Sequence, residues 1–240
     1  MDSTFLLRVA LETLGRESVL AITADSPLTS QGELGRAKSL AKSMSAEYLV
    51  VRSRDFDDPR LRANPPDRCY VCKSIRFGEL CQLAQERGIQ HLADGTNADD
   101  TSDYRPGAKA AEELGVVSPL RDAGLSKADI REASRELALP TADLPRFACL
   151  ASRVPYGTPL SEDKLRPIER GEEALAELGP RQYRLRDHGD IARIEVLPRD
   201  FAILLARREQ LAARLRAYGY RYIALDLDGY RLGSMNEALA

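Results

Sequence analysis

SVLAITADSP, residues 18–27, decides the fold. Seven small or apolar residues run without a charge into Asp-Ser-Pro, which is turn chemistry, so 18–24 reads as a buried strand of a parallel sheet. Upstream, Phe5, Leu6, Val9, Ala10 and Leu14 recur at helical spacing, and Gly15 stops the helix. Downstream come a helix over about 31–45, a strand at YLVVR (48–52), a helix over about 71–87 and a strand at HLADGT (91–96, read as about 90–95). A helix over about 105–114 follows. SKADIREASRELAL (126–139) is a further helix, capped by Ser126 with Asp129 completing a capping box. Strands alternating with helices imply an α/β fold, a doubly wound parallel sheet. The chain opens on a helix, without the strand that should precede it.

Pro140 and Pro145 close this region, and PYGTPLS (155–161) is a turn segment. The pattern then changes. A helix over 162–178 leads into alternating strands QYRLR (182–186) and IARIEV (191–196), joined by DHGD, then a helix over about 198–217 and a strand at YRYIALDLD (220–228). The expected organisation is an α/β domain over 1–150 and a smaller α+β domain over 151–240.

A net charge of −2 over 240 residues gives no basic excess of the kind that nucleic acid demands. The longest apolar runs, Val19–Ala24 and Phe201–Ala206, are far too short to span a bilayer, and Asp2 and Arg8 interrupt any leader-like segment. Four cysteines in this length do not make a disulfide scaffold, so thiols, metal binding or catalysis in the cytoplasm are expected.

Ligands of doubly wound sheets bind beyond the carboxyl ends of the strands. Asp2-Ser3-Thr4, Ala24-Asp25-Ser26 and Asp94–Asp100, with Gly95 and Thr96, fall there. Asp-Ser-Thr at a helix start is either a phosphate cradle or a simple N-cap. Cys69 and Cys72, in RCYVCK (68–73), form a C-x2-C pair: a redox dithiol, half of a zinc site or part of an iron–sulfur site. Cys81 lies in an apolar helix pattern and reads as a buried inert thiol, while His91, opening a buried strand, and His188, in a hairpin turn, read as structural. Cys149 sits in RFACLASRVPYG at the domain junction, flanked by Arg146 and Arg153, whose charge favours the reactive thiolate. In the second domain, period two puts Arg184, Arg186, Arg193 and Glu195 on one face of the hairpin. That face is either solvated, with cross-strand ion pairs, or a grip for a phosphate or carboxylate.

Read together, MDSTFLL, ITADSP, NPPDRCYVCK, ADGTNADD, DYRPG, GLSKADIRE, CLASRVPYGTP and GYRLGSMNEAL, in this order from end to end, closely resemble the LarE family. These are ATP-dependent sulfur transferases of the PP-loop pyrophosphatase group that build the nickel-pincer nucleotide cofactor. The resemblance implies a Rossmann-like, adenine nucleotide alpha hydrolase-like first domain. It implies ATP with Mg2+, a pyridinium mononucleotide substrate and a homo-oligomer, with no nucleic acid or membrane partner. ATP would convert a substrate carboxylate to an acyl-adenylate, and sulfur would displace AMP. Asp2, Ser3 and Thr4 would sit at the ATP phosphates, Ala24, Asp25 and Ser26 near the adenosine, and Gly95 and Thr96 beside them. Arg184 and Arg186 would grip the substrate phosphate, with Ser152, Arg153 and Glu195 bordering the reacting centre. Some relatives sacrifice the sulfur of a lone cysteine at the position of Cys149. Others add the C-x2-C pair, and Cys69, Cys72 and Cys149 together would hold a [4Fe–4S] cluster with one iron open to an extra sulfide.

One departure stands out. The family's SGGVDS loop is represented only by Met1-Asp2-Ser3, so the first strand and the phosphate-wrapping glycines are missing. A misplaced start, a valine codon taken as the initiator, would produce this beginning, and the upstream reading frame should then encode a strand and Ser-Gly-Gly. A tRNA thiolase of the same group and a truncated, non-catalytic nucleotide- or cluster-binding protein are the rival readings.

Overall fold

In the computed structural model, which describes residues 1–101, 106–145 and 148–234, the 18–27 stretch folds as β1, Leu20–Asp25, ending at the Asp-Ser-Pro turn. It pairs in parallel with β2, Glu47–Arg52, in a register running from Leu20 opposite Glu47 to Asp25 opposite Arg52. The protein is α/β and divides into two units, residues 1–61 with 67–144, and residues 62–66 with 145–240.

The first unit carries α1 (Asp2–Leu14), α2 (Gln31–Ser43), α3 (Pro59–Arg62, whose last residue is assigned to the second unit), α4 (Arg68–Glu86), α5 (Pro106–Glu113), α6 (Pro119–Asp122) and α7 (Lys127–Glu136). Ser126 and Asp129 form the expected capping box reciprocally, Asp129 N donating to Ser126 Oγ (3.2 Å) and Ser126 N to Asp129 Oδ2 (2.8 Å). Phe5 of α1 packs with Leu120, Ile130 and Leu139 in a small core. Three expectations change here. Every residue of β1 is only half-buried, because the regular sheet of this unit has two strands among the described residues. The strand expected at 90–95 reduces to one parallel bridge, Ala93 to Val117, and His91 is exposed. On α1, Val9 and Leu14 face outward, so periodicity overstated the buried face.

The second unit is built on α8 (Glu162–Leu178), which begins with Ser161 accepting from Lys164 N and ends at left-handed Gly179. Its sheet is an antiparallel hairpin, β3 (Tyr183–His188) and β4 (Ile191–Val196), with β5 (Tyr222–Leu225) parallel to β4. The single helix expected over 198–217 is two, α9 (Phe201–Ala206) and α10 (Arg208–Ala217), broken at Arg207, whose backbone leaves the helical region. Gly171 lets α8 lie against the sheet: a Cβ there would stand 2.3 Å from Leu185 Cδ1 and 3.1 Å from Leu215 Cδ2. Residues 62–66 join this unit through fully buried Asn64, whose Nδ2 donates to the carbonyls of Pro155 (2.8 Å) and Thr158 (3.1 Å).

Candidate functional site

In the second unit a 3-10 turn, Leu150–Arg153, follows Cys149 directly. Arg153 is buried and forks onto Glu172 of α8, Nε to Oε1 and Nη2 to Oε2, both at 2.8 Å. Its Nη1 turns back onto the turn, donating to the carbonyls of Ala148 (2.6 Å) and Cys149 (3.1 Å) and to Ser152 Oγ (2.7 Å). Arg186 Nη1 holds the carbonyl of Ser152 from β3 at 2.9 Å. The backbone carrying Cys149 is thus clamped by two buried guanidinium groups.

Glu195 is fully buried on β4 and takes Arg186 Nη2 at 2.7 Å on Oε2, and Arg193 Nη2 (3.1 Å) and Ser234 Oγ (3.0 Å) on Oε1. The charged face of the hairpin is therefore not solvated: Arg184 and Arg186 are each 5% exposed, and the opposite face, with Leu185, Ile194 and Val196, is buried too. Arg184 lays its guanidinium 5.2 Å from the Tyr230 ring centre and donates to the Tyr183 carbonyl (2.6 Å). Burial first, and then the charge of Arg153, lower its pKa from the ordinary arginine value, so an added anion would relieve it.

In the first unit, Gly95 abuts the start of α1. A Cβ on Gly95 would meet Ser3 N at 2.9 Å, so only glycine allows this approach. Asp2 pairs with Lys127 of α7, and Thr4 is buried, its N–H taken by the Met1 carbonyl at 3.0 Å. Thr96 donates through N and Oγ1 to Asp94 (3.1 and 2.7 Å), which also accepts from Ser118 Oγ (2.8 Å) and lies 3.6 Å from Lys73 Nζ. Ala24 and Asp25 end β1 half-buried. Ser26 is buried and accepts from Arg76 Nη2 of α4 at 2.5 Å.

Helix α4 begins at Arg68, earlier than expected, so Cys69 and Cys72 fall within its first turns, Cys69 exposed and Cys72 half-buried. Cys149, half-buried, belongs to the other unit. A three-cysteine cluster would draw on both units, and among the described residues no three His, Cys, Asp or Glu side chains gather as metal ligands. Two thiols one turn apart on a helix suit such a group; the third is not brought to them within either unit. Cys81 is half-buried rather than buried, 3.8 Å from the Leu114 carbonyl, and desolvation pushes its thiol up, which keeps it protonated. His188 closes β3 at the surface, and Arg146 lies outside the described residues. No helix among the described residues is long and apolar enough to cross a membrane.

Glu172 and Asp55, which carry no signal in the sequence, are integral to these networks, as is Asp94 of the expected ligand-binding segment. Glu172 sits in an unremarkable GEEAL helix segment, and only its position opposite Arg153 distinguishes it.

An α/β unit with a parallel sheet and an α+β unit with buried arginines and a cysteine-bearing turn are the class this architecture defines. The chain is 38% identical over 241 residues to an uncharacterised protein of Synechocystis, covering all of this chain and 90% of the other. It is 36% identical over 239 residues to the pyridinium-3,5-bisthiocarboxylic acid mononucleotide synthase of Lactiplantibacillus plantarum, covering all of this chain and 87% of that one. An uncharacterised Methanocaldococcus jannaschii protein is 29% identical over 228 residues. No family model matches the chain. It belongs to the LarE family, that of the Lactiplantibacillus synthase.

Proposed function

We propose that this protein transfers sulfur, at the expense of ATP, to a carboxylate of a pyridinium mononucleotide, as a step in nickel-pincer cofactor assembly. The observation that carries the reading is the hold of Arg153 and Arg186 on the backbone of the Cys149 turn at Ser152, with Glu195 buried against Arg186 and Arg184 buried on the same hairpin face, in a chain related along its full length to a synthase of a bisthiocarboxylic mononucleotide.

A carboxylate resists nucleophiles because its leaving group would be oxide. Its oxygen attacks the α-phosphorus of ATP and pyrophosphate leaves. Sulfur then adds to the acyl carbon and AMP departs with the oxygen, leaving a thiocarboxylate. The first unit is the nucleotide unit in this reading, with Asp2, Ser3 and Thr4, the abutting Gly95, Thr96 and the Ala24–Ser26 loop at the ATP. The second is the substrate unit. Arg184 takes the substrate phosphate; its guanidinium is buried on the hairpin face beside the charges of Arg153, Glu172 and Arg186. Arg186 has both Nη groups engaged by Ser152, Glu195 and Ser234, so its work is to hold the floor of this site. Arg153, its Nε and both Nη groups taken by Glu172 and by the turn itself, acts in this reading by fixing the Cys149 turn beside the reacting centre. A [4Fe–4S] cluster, when bound by Cys69, Cys72 and Cys149, would supply a sulfide that spares the protein's own sulfur. Homo-oligomerisation and a cytoplasmic location complete the reading.

Substrate-dependent exchange of labelled pyrophosphate into ATP tests the first half-reaction. Exchange that requires the mononucleotide carboxylate supports the reading. Exchange that requires tRNA instead would favour a tRNA thiolase, and none with either would favour a non-catalytic binder.

A further inference from the structure

Asp55 is fully buried in a 3-10 turn after β2, within the first unit. Its Oδ2 accepts the Nε–H of Arg76 at 2.6 Å and the Sγ–H of Cys72 at 3.4 Å, both from α4 one turn apart. Its backbone N–H donates to Ser53 Oγ (3.2 Å), which in turn donates to Glu79 Oε2 (2.8 Å), also on α4. Arg76 extends the chain to Ser26 Oγ at the end of β1. The second carboxylate oxygen, Oδ1, is buried without a hydrogen-bond partner. A charged side chain is kept dry in this way only where its partners hold it in place.

We propose that Asp55 is the positioning residue for Cys72. It makes the two thiols of the C-x2-C pair unequal and ties the thiol-bearing helix to the β1 end that carries Ser26. Cys72 is oriented inward by the carboxylate, whereas Cys69, one turn earlier, presents at the surface. A thiophilic group, such as a soft metal ion or an iron–sulfur cluster, therefore meets one outward thiol and one whose S–H must leave Asp55, giving up its proton, before its sulfur can ligate. Because Arg76 spans Asp55 and Ser26, the anchor is set by the same contacts that shape the proposed nucleotide loop. The inference deepens the sulfur-transfer reading and rests on it for the use made of the thiols.

The test is competitive labelling of the reduced full chain with limiting N-ethylmaleimide, each cysteine quantified separately by peptide fragmentation. Cys69 should label about ten-fold faster than Cys72 in the unaltered protein. In Asp55→Ala the Cys72 rate should rise about ten-fold, the scale expected for losing a hydrogen bond to a charged group, with Cys81 and Cys149 unchanged. Asp55→Asn can present its carbonyl oxygen where Oδ2 stands and its amide where Oδ1 has no partner, so it should restore most of the difference. Equal labelling of the pair in the unaltered protein, or an unchanged ratio in Asp55→Ala, would overturn the inference. So would a rise at all four cysteines together, which reports general loosening, or an Asp55→Asn that behaves like the alanine variant. The measurement uses no nucleotide, substrate or cluster, so the failure of sulfur transfer and the failure of this positioning role are read separately.

Discussion

Arg153 and Glu172 meet as a planar fork, two 2.8 Å hydrogen bonds joining side chains that are 2% and 12% exposed. Glu172 Oε1 also accepts from Leu185 N at 3.1 Å, tying α8, β3 and the Cys149 turn together. Glu172→Ala takes the carboxylate away from a buried guanidinium, and a loss of about 3–5 kcal/mol in urea unfolding is expected. Arg153→Lys should also lose stability, since a lysine cannot reproduce the fork. An unfolding midpoint unmoved by either change would remove the clamp from the account.

At Gly171 the constraint is space. Ala would place a methyl group 2.3 Å from a Leu185 carbon, both Leu185 and Leu215 being fully buried. Gly171→Ala should cost about 1–3 kcal/mol by overpacking, read as a lower thermal midpoint. A stabilised variant, as a helix-propensity argument alone would give, would contradict the packing described.

Alkaline pH tests the buried Tyr220–Asp187 contact, in which the phenol donates to Oδ2 at 3.1 Å. Burial foremost, and the Asp187 charge next, push the Tyr220 pKa above its ordinary value near 10. The unfolded chain ionises first, so this contribution is complete below about pH 10 and is lost as pH rises beyond it. Tyr220→Phe should flatten that part of the stability profile, measured by urea midpoints from neutral to alkaline pH. The same slope in both proteins would refute the assignment.

How far the residues alone disclosed this arrangement depends on which interactions decide each element. Ser126 and Asp129 announced their capping box because a cap is local, and helix 162–178 was legible from Ser161 to Gly179 for the same reason. Period two correctly put Arg184, Arg186, Arg193 and Glu195 on one face. It could not say that the face is buried, because burial is decided by the Cys149 turn and by Ser234, 48 residues beyond Arg186. HLADGT has strand-like residues, yet pairing needs a neighbour along its length, and Val117 supplies a single bridge. Glu172 and Asp55 carried no local signal, since their meaning comes from Arg153 and Cys72 across the fold.

The cysteines should separate by role. In anaerobically reconstituted protein, Cys69→Ala, Cys72→Ala and Cys149→Ala should each abolish iron and acid-labile sulfide, whereas Cys81→Ala should keep both. Retention of the cluster in the Cys149 variant would sink the three-ligand assignment and return that residue to a sacrificial sulfur donor.

Arg184→Ala should chiefly weaken capture of the mononucleotide, by about 1.5–3 kcal/mol for one charge-assisted contact, seen as a raised KM with kcat little changed. An unaltered KM would return Arg184 to a structural part in the packing against Tyr230.

The most direct measurement is mass spectrometry of the mononucleotide after incubation with the anaerobically purified protein, ATP and Mg2+. The account expects a product in which sulfur has replaced one carboxylate oxygen, with AMP and pyrophosphate formed in step with it. AMP release without sulfur in the product, or no reaction of the carboxylate at all, would contradict sulfur transfer as this protein's function.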